Sequence, residues 1–88
     1  MKTSKQLERY FKGVANHWRI AIVSLVSEQE GITVEEITAA LGANFKTISQ
    51  HTRSLVHAGL MNKEYRGRTV RHFLSRYGKA LVVFMKTF

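Results

Sequence analysis

The sequence predicts a mainly α-helical fold with one small β-hairpin, in the order α-α-α-α-β-β-α. Three observations carry that prediction. Apolar residues recur at helical spacing in five segments. One stretch, residues 61–75, alternates with period two around a glycine instead. The 88 residues, 44% of them hydrophobic, suit one compact domain.

The first helix is expected from Ser4 to about Val14, where Leu7, Tyr10, Phe11 and Val14 share a face. Asn16 is a candidate cap for a second helix over residues 17–28. Its Trp18, Ile20, Ala21, Ile22, Val23, Leu25 and Val26 nearly surround it and mark it as the buried centre. After Gly31, Ile32 is a candidate for a very short strand. Thr33 stands three residues before Glu36, the capping-box spacing, and opens a third helix whose Val34, Ile37, Ala40 and Leu41 face inward. Gly42 stops it by adopting the left-handed conformation that other residues resist. Only Ala43 and Asn44 follow before the fourth helical pattern, and so short a joint with a glycine at its start is the arrangement of a helix-turn-helix.

The fourth helix reads FKTISQHTRSLVH, capped by Asn44 and closed by Ala58-Gly59-Leu60. Ile48, Leu55 and Val56 pack inward, whereas Phe45, Lys46, Ser49, Gln50 and Arg53 form an outer face without an acid. Two strands follow around a tight turn at Arg66-Gly67-Arg68. Ser75 caps a last helix from Arg76 to about Thr87. Its Leu81, Val82, Val83, Phe84, Met85 and Phe88 are too many for one core-facing stripe, so some partner covers the surplus.

Charge is unevenly placed along the chain, whose net value is +8. Residues 1–43 carry five cations and five glutamates, whereas residues 44–79 carry eight cations against Glu64 alone, a net +7. Such a concentrated positive field favours a polyanion, nucleic acid first and an acidic membrane surface second. Only Lys79 and Lys86 accompany the apolar last helix, which argues against the membrane surface. No run of about 18 apolar residues occurs and the N-terminus lacks the apolar segment of a secretion signal, so a cytoplasmic, nucleoid-associated protein is expected. With no cysteine, disulfides, thiolate metal sites and cysteine nucleophiles drop out; with no aspartate, no nucleophile motif and no phosphate loop, no enzyme is expected, and the one pair of carboxylates, Glu35-Glu36, is explained as first-turn acids at a helix N-terminus. His17, His51, His57 and His72 lie in different elements without a ligand spacing, so neither a metal nor a cofactor is expected. His51 suits a phosphate contact or an internal hydrogen bond.

Lys46, Gln50 and Arg53 are long enough to reach base edges in a major groove, where Arg or Lys pairs with guanine and Gln with adenine. Thr47 and Ser49, with the amides of the helix N-terminus, suit phosphate oxygens, and the cap Asn44 is counted with this DNA-binding set. Phe45 either touches a thymine methyl or packs over the turn. Arg66, Arg68 and Arg71 belong to the hairpin, and the first two are placed to straddle a minor groove or its phosphates.

Together the pieces resemble the winged helix-turn-helix transcription regulators of the ArsR type. The matching segments are Ala15-Asn16-His17-Trp18-Arg19-Ile20, Thr33-Val34-Glu35-Glu36-Ile37 through Leu41-Gly42, Thr47-Ile48-Ser49-Gln50-His51, Leu55-Val56-His57-Ala58-Gly59-Leu60 and the Arg66-Gly67-Arg68 wing. The resemblance implies that residues 1–88 form one winged helix domain. It implies a homodimer joined by the first and last helices, through Leu7, Tyr10 and Phe11 and through Leu81, Val82, Phe84, Met85 and Phe88. The two recognition helices would enter successive major grooves of a pseudo-palindromic operator, the partner being double-stranded DNA and the action repression. A non-specific architectural or protein-interaction module is the alternative. Four departures stand out: Thr52 replaces a large apolar residue, His17 stands where proline is common, and both the cysteine pair of metal-sensing members and the acid and histidine pairs of the last helix are missing. A small-molecule or protein effector stays open.

Overall fold

The computed structural model describes all 88 residues. Its order is α1 (Ser4–Val14), α2 (His17–Glu28), α3 (Val34–Leu41), α4 (Phe45–His57), β1 (Met61–Arg66), β2 (Thr69–Leu74) and α5 (Arg76–Met85). Local chemistry sets nearly every boundary. Thr3 and Thr33 each form a capping box, with Gln6 and Glu36 reaching back to the cap amide. Asn16, Asn44 and Ser75 accept from the first-turn amides of α2, α4 and α5. Each such cap is worth about 1 kcal/mol. The Thr33 amide, donating to the Glu36 carboxylate at 2.9 Å, holds that carboxyl below its ordinary pKa.

Gly42 takes the left-handed conformation at φ 60° and ends α3, so that Ala43 and Asn44 turn the chain directly into α4. The hairpin pairs Met61 with Leu74 through Arg66 with Thr69, leaving Gly67 and Arg68 as a two-residue turn. A positive φ at Gly67 but not at Arg68 is the type II′ pattern, whose twist matches that of the strands. The expected strand stub at Ile32 is a single antiparallel bridge to His72.

The core is built from Ile22, Val23 and Val26 of α2, Ile32, Ile37, Ile48 and Leu55 of the helix-turn-helix region, Ala58, Leu60 and Met61 behind α4, Leu74 and Val82. Fully burying one such large aliphatic side chain contributes about 1.5–3 kcal/mol, which is what seats α3 and α4 against α2. Two expectations need correction. Ile20 is exposed on α2, and Ala40 is exposed on α3. Each lies on the side of its helix that no other element covers, because α1, α3, α4, β2 and α5 pack on the remaining faces of α2, and α2, α4 and β2 on those of α3. The last helix also ends two residues earlier than predicted, with Lys86 as its cap.

Candidate nucleic-acid interface

α4 is held by its buried side and free on the other. Ile48, Thr52 and Leu55 are buried, whereas Phe45, Lys46, Gln50, Arg53 and His57 are exposed and Thr47 and Ser49 are half-buried. The Asn44 side-chain oxygen accepts from the Lys46 and Thr47 amides at 2.8 and 3.3 Å, which fixes the first turn. Arg53 donates to the Ser49 hydroxyl one turn back at 3.2 Å, laying its guanidinium along the outer face. Base-reading types and phosphate-binding types therefore share one acid-free surface over three helical turns.

His51 points toward the protein. The Arg19 Nε–H donates to His51 Nδ1 at 3.0 Å, so the imidazole carries its proton on Nε2. The same guanidinium donates to the Lys12 and Gly13 carbonyls, tying α2 to the C-terminal end of α1 as well as to α4. Burial, then the neighbouring Arg19 charge, pushes the His51 pKa down. Of the two roles expected for His51, the internal hydrogen bond is present. Its partner was not legible in the sequence, because Arg19 lies 32 residues away.

The hairpin sends its cations to different sides. Lys63, Tyr65 and Val70 line a cleft of about 220 Å³ against Phe45, Ser49 and Arg53 of α4, and Arg68 at the tip lines it too. Arg66 lies on the other face, over the Phe73 ring, with its Nε 2.9 Å from the Glu64 carboxylate. Arg71 is pinned inward and donates to the Gly31 carbonyl at 2.9 Å. The three hairpin arginines thus do not act alike: Arg68 borders the cleft beside α4 without an ion-pair partner, although Glu35 lines the same cleft, Arg66 is ion-paired, and Arg71 anchors the base of the ribbon. Lys63 and Tyr65, absent from the residues expected at the interface, line the cleft beside α4. Strand alternation, with odd residues of β1 facing α4, was the signal that could have found them.

The remaining predicted residues gather on a second surface. Leu7, Tyr10 and Phe11 of α1 and Leu81 and Phe84 of α5 line an apolar groove of about 500 Å³, joined by Leu60, Tyr77 and Ala80. Tyr10 and Tyr77 pack at 5.0 Å between ring centroids, and Lys2 sits over the Tyr77 ring at 4.8 Å. Phe11 is 61% exposed, Phe84 58% and Phe88 92%, a surplus of apolar surface on the α1 and α5 side. Val82 departs from this group: it is buried in the core and has no surface to offer a partner. Val83, 68% exposed, lies outside the predicted set.

The model of the family described as "Bacterial regulatory protein, arsR family" matches residues 17–63, which run from α2 through the helix-turn-helix to the first strand. HlyU from Vibrio cholerae superposes with a TM-score of 0.85 at 28% identity, covering 96% of this chain and 91% of that one. The winged helix-turn-helix DNA-binding domain of a possible ArsR-family transcriptional regulator from Mycobacterium bovis, described as homodimeric, gives 0.78 at 26% identity over 93% of this chain and 80% of its own. NolR from Sinorhizobium fredii, at 16% identity, shares the fold, with a TM-score of 0.84 over 96% of this chain and 84% of that one. No curated protein matches the sequence.

Proposed function

The chain belongs to the bacterial ArsR family of regulatory proteins, and we propose that it is a cytoplasmic, homodimeric, sequence-specific repressor that reads a pseudo-palindromic DNA operator with α4. The observation that carries this reading is the outer face of α4. Lys46, Gln50 and Arg53 stand on it without a single acid, beside a hairpin whose Arg68 and Lys63 border the same cleft. An α-helix with this face fits the major groove, where bidentate contacts from Arg and Gln to purine edges carry specificity. The half-buried Thr47 and Ser49 hydroxyls and the N-terminal amides of α4 serve neighbouring phosphates.

The homodimer is supported by the apolar α1 and α5 groove and by the homodimeric M. bovis domain. A two-fold axis through that groove repeats α4 and so calls for two half-sites about one helical turn apart. Repression then needs nothing beyond occupancy of the operator.

Selection of bound sequences from random duplexes tests this directly. An enriched, inverted-repeat motif is expected. A pool that binds with no enrichment makes the chain a non-specific architectural protein instead. Gln50→Ala and Arg53→Ala should each relax preference at one position of the motif, costing about 1–3 kcal/mol for the cognate site. Equal loss on every sequence would reassign both residues to the phosphate backbone.

A further inference from the structure

α4 is flanked by two grooves, and only one belongs to the hairpin. Phe45, Ser49 and Thr52 look toward the wing cleft, whereas Gln50, Ser54 and His57 look toward a groove of about 660 Å³ on the opposite flank; Arg53, Val56 and Lys63 border both. That second groove is walled by Arg9 and Lys12 of α1 and by Arg19 of α2, with no acid among its lining residues. α1 reaches it because Gly13 is buried against Ala58, just beyond the end of α4.

We infer that this α1-side groove is a second phosphate-binding site, in which Arg9 and Lys12 hold the DNA strand on the flank of α4 that the wing does not reach. The inference rests on the reading of α4 as the recognition helix. A helix about 10–12 Å across fills a major groove about 12 Å wide, so a sugar-phosphate strand must run along each of its flanks. The wing cleft, with Lys63 and Arg68, meets one strand. The groove with Arg9, Lys12, Arg19, Arg53 and Lys63 meets the other, and a polyanion entering it faces five cations and no lining carboxylate.

The neighbouring groups are arranged for this. The Lys12 and Gly13 carbonyls at the end of α1 would repel an anion, but both accept from Arg19. Arg19 is thereby occupied and contributes its charge, whereas Arg9 and Lys12 remain exposed and able to reach out. Lys12 does pair with Glu8 at 3.5 Å, but both side chains are well exposed, a setting in which such pairs contribute little and yield readily to a phosphate. The groups facing the groove from all sides are therefore Arg9 and Lys12 from α1, Arg19 from α2, Arg53 and His57 from α4 and Lys63 from β1.

The test is the salt dependence of binding to the selected duplex by the full chain carrying Arg9→Gln and Lys12→Gln together. The log–log slope should become shallower by roughly 0.9 for each phosphate that the variant no longer neutralises, with the selected motif unchanged. Arg9→Lys with Lys12→Arg, which keeps the charge, should restore the slope. A slope equal to that of the wild type overturns the inference, and so does an altered motif, which would make the two residues base readers. Titration of inorganic phosphate into the free protein separates the other source of the same chemistry. Saturable phosphate binding abolished by the double Gln variant, with an unchanged duplex slope, assigns the groove to a free anion and overturns the assignment to a DNA strand. If the wild type itself shows no salt-dependent duplex binding, the recognition reading has failed and not merely this site.

Discussion

Thr52 is buried at 2% exposure on the core side of α4, and its hydroxyl has no hydrogen-bond partner. An unpaired buried hydroxyl loses its hydration without replacement, so Thr52→Val, which keeps the shape, should raise unfolding free energy by about 1 kcal/mol in urea denaturation. A loss of stability would show that the hydroxyl is paired in solution. His51 and His72 make stability depend on pH. Burial is the first cause in both, with Arg19 and then His17 adding to it at His51; at His72 Lys63 adds to it while the Ile32 carbonyl and Glu35 oppose, and both imidazoles end below their ordinary pKa. A base whose folded pKa is depressed is protonated first in the unfolded chain. Stability is therefore full above about pH 6.5 and declines as the pH falls below it toward the folded values. The urea midpoint should drop between about pH 7.5 and about 5.5, and His51→Gln with His72→Gln should flatten that drop. A wild-type midpoint level across this window would contradict the depressed pKa of the half-buried His51 and the buried His72.

At the scale of elements, the informative joint is the one between α4, the hairpin and α5. Ser75 donates its hydroxyl to the Gly59 carbonyl at 2.6 Å and its amide to the Leu60 carbonyl at 3.1 Å, so the start of α5 is latched to the loop that ends α4. Gly78 then lies so close to the Leu60 carbonyl oxygen that a Cβ there would overlap it. Gly78→Ala should cost about 1–3 kcal/mol by forcing α5 off this seat, measured as a lower thermal midpoint. An unchanged midpoint would mean that α5 is not packed as described. A second latch serves the hairpin. The Glu30 carboxylate accepts the Leu74 amide at 2.9 Å, while the Ile32 bridge and the Arg71 hydrogen bond to Gly31 hold the base of the ribbon beside α3. The wing is thus fixed at its root and free at Arg68.

For the whole molecule, two surfaces of unlike chemistry lie on one small body of 38 × 27 × 21 Å. The apolar side with Phe11, Tyr77 and Phe84 suits a second copy, and the basic side with α4 suits DNA. A carboxylate placed in the middle of an apolar interface is left desolvated and unpaired. Phe84→Glu should therefore give a monomer by light scattering and weaken duplex binding, while helicity by circular dichroism stays intact. A dimer that survives this change would move the interface elsewhere and take away the present argument for inverted half-sites.

How much of this was legible in the sequence follows from the range over which each cause acts. Caps, the Gly42 stop, helical and strand periods and the outer face of α4 depend on residues three or four apart, so FKTISQHTRSLVH already displayed the acid-free face and the order of elements. The hairpin alternation likewise contained the Lys63 and Tyr65 side, although the arginines at the tip are the louder signal. The tertiary structure alone decided which of those arginines is free, because Arg66 finds Glu64 along one strand face while Arg71 finds a carbonyl 40 residues away. It alone turned Val82 inward and Ile20 outward, since which stripe of a helix is covered depends on where its neighbours cross it. The same holds for charge. The first 43 residues are neutral as a string, but packing α1 across the end of α4 puts Arg9, Lys12 and Arg19 beside Arg53 and leaves Glu28 and Glu30 outside that groove. Local chemistry determined the elements and the acid-free face of α4; only the way those elements pack determined what surrounds that helix, because electrostatic and packing neighbours are set by distance in space.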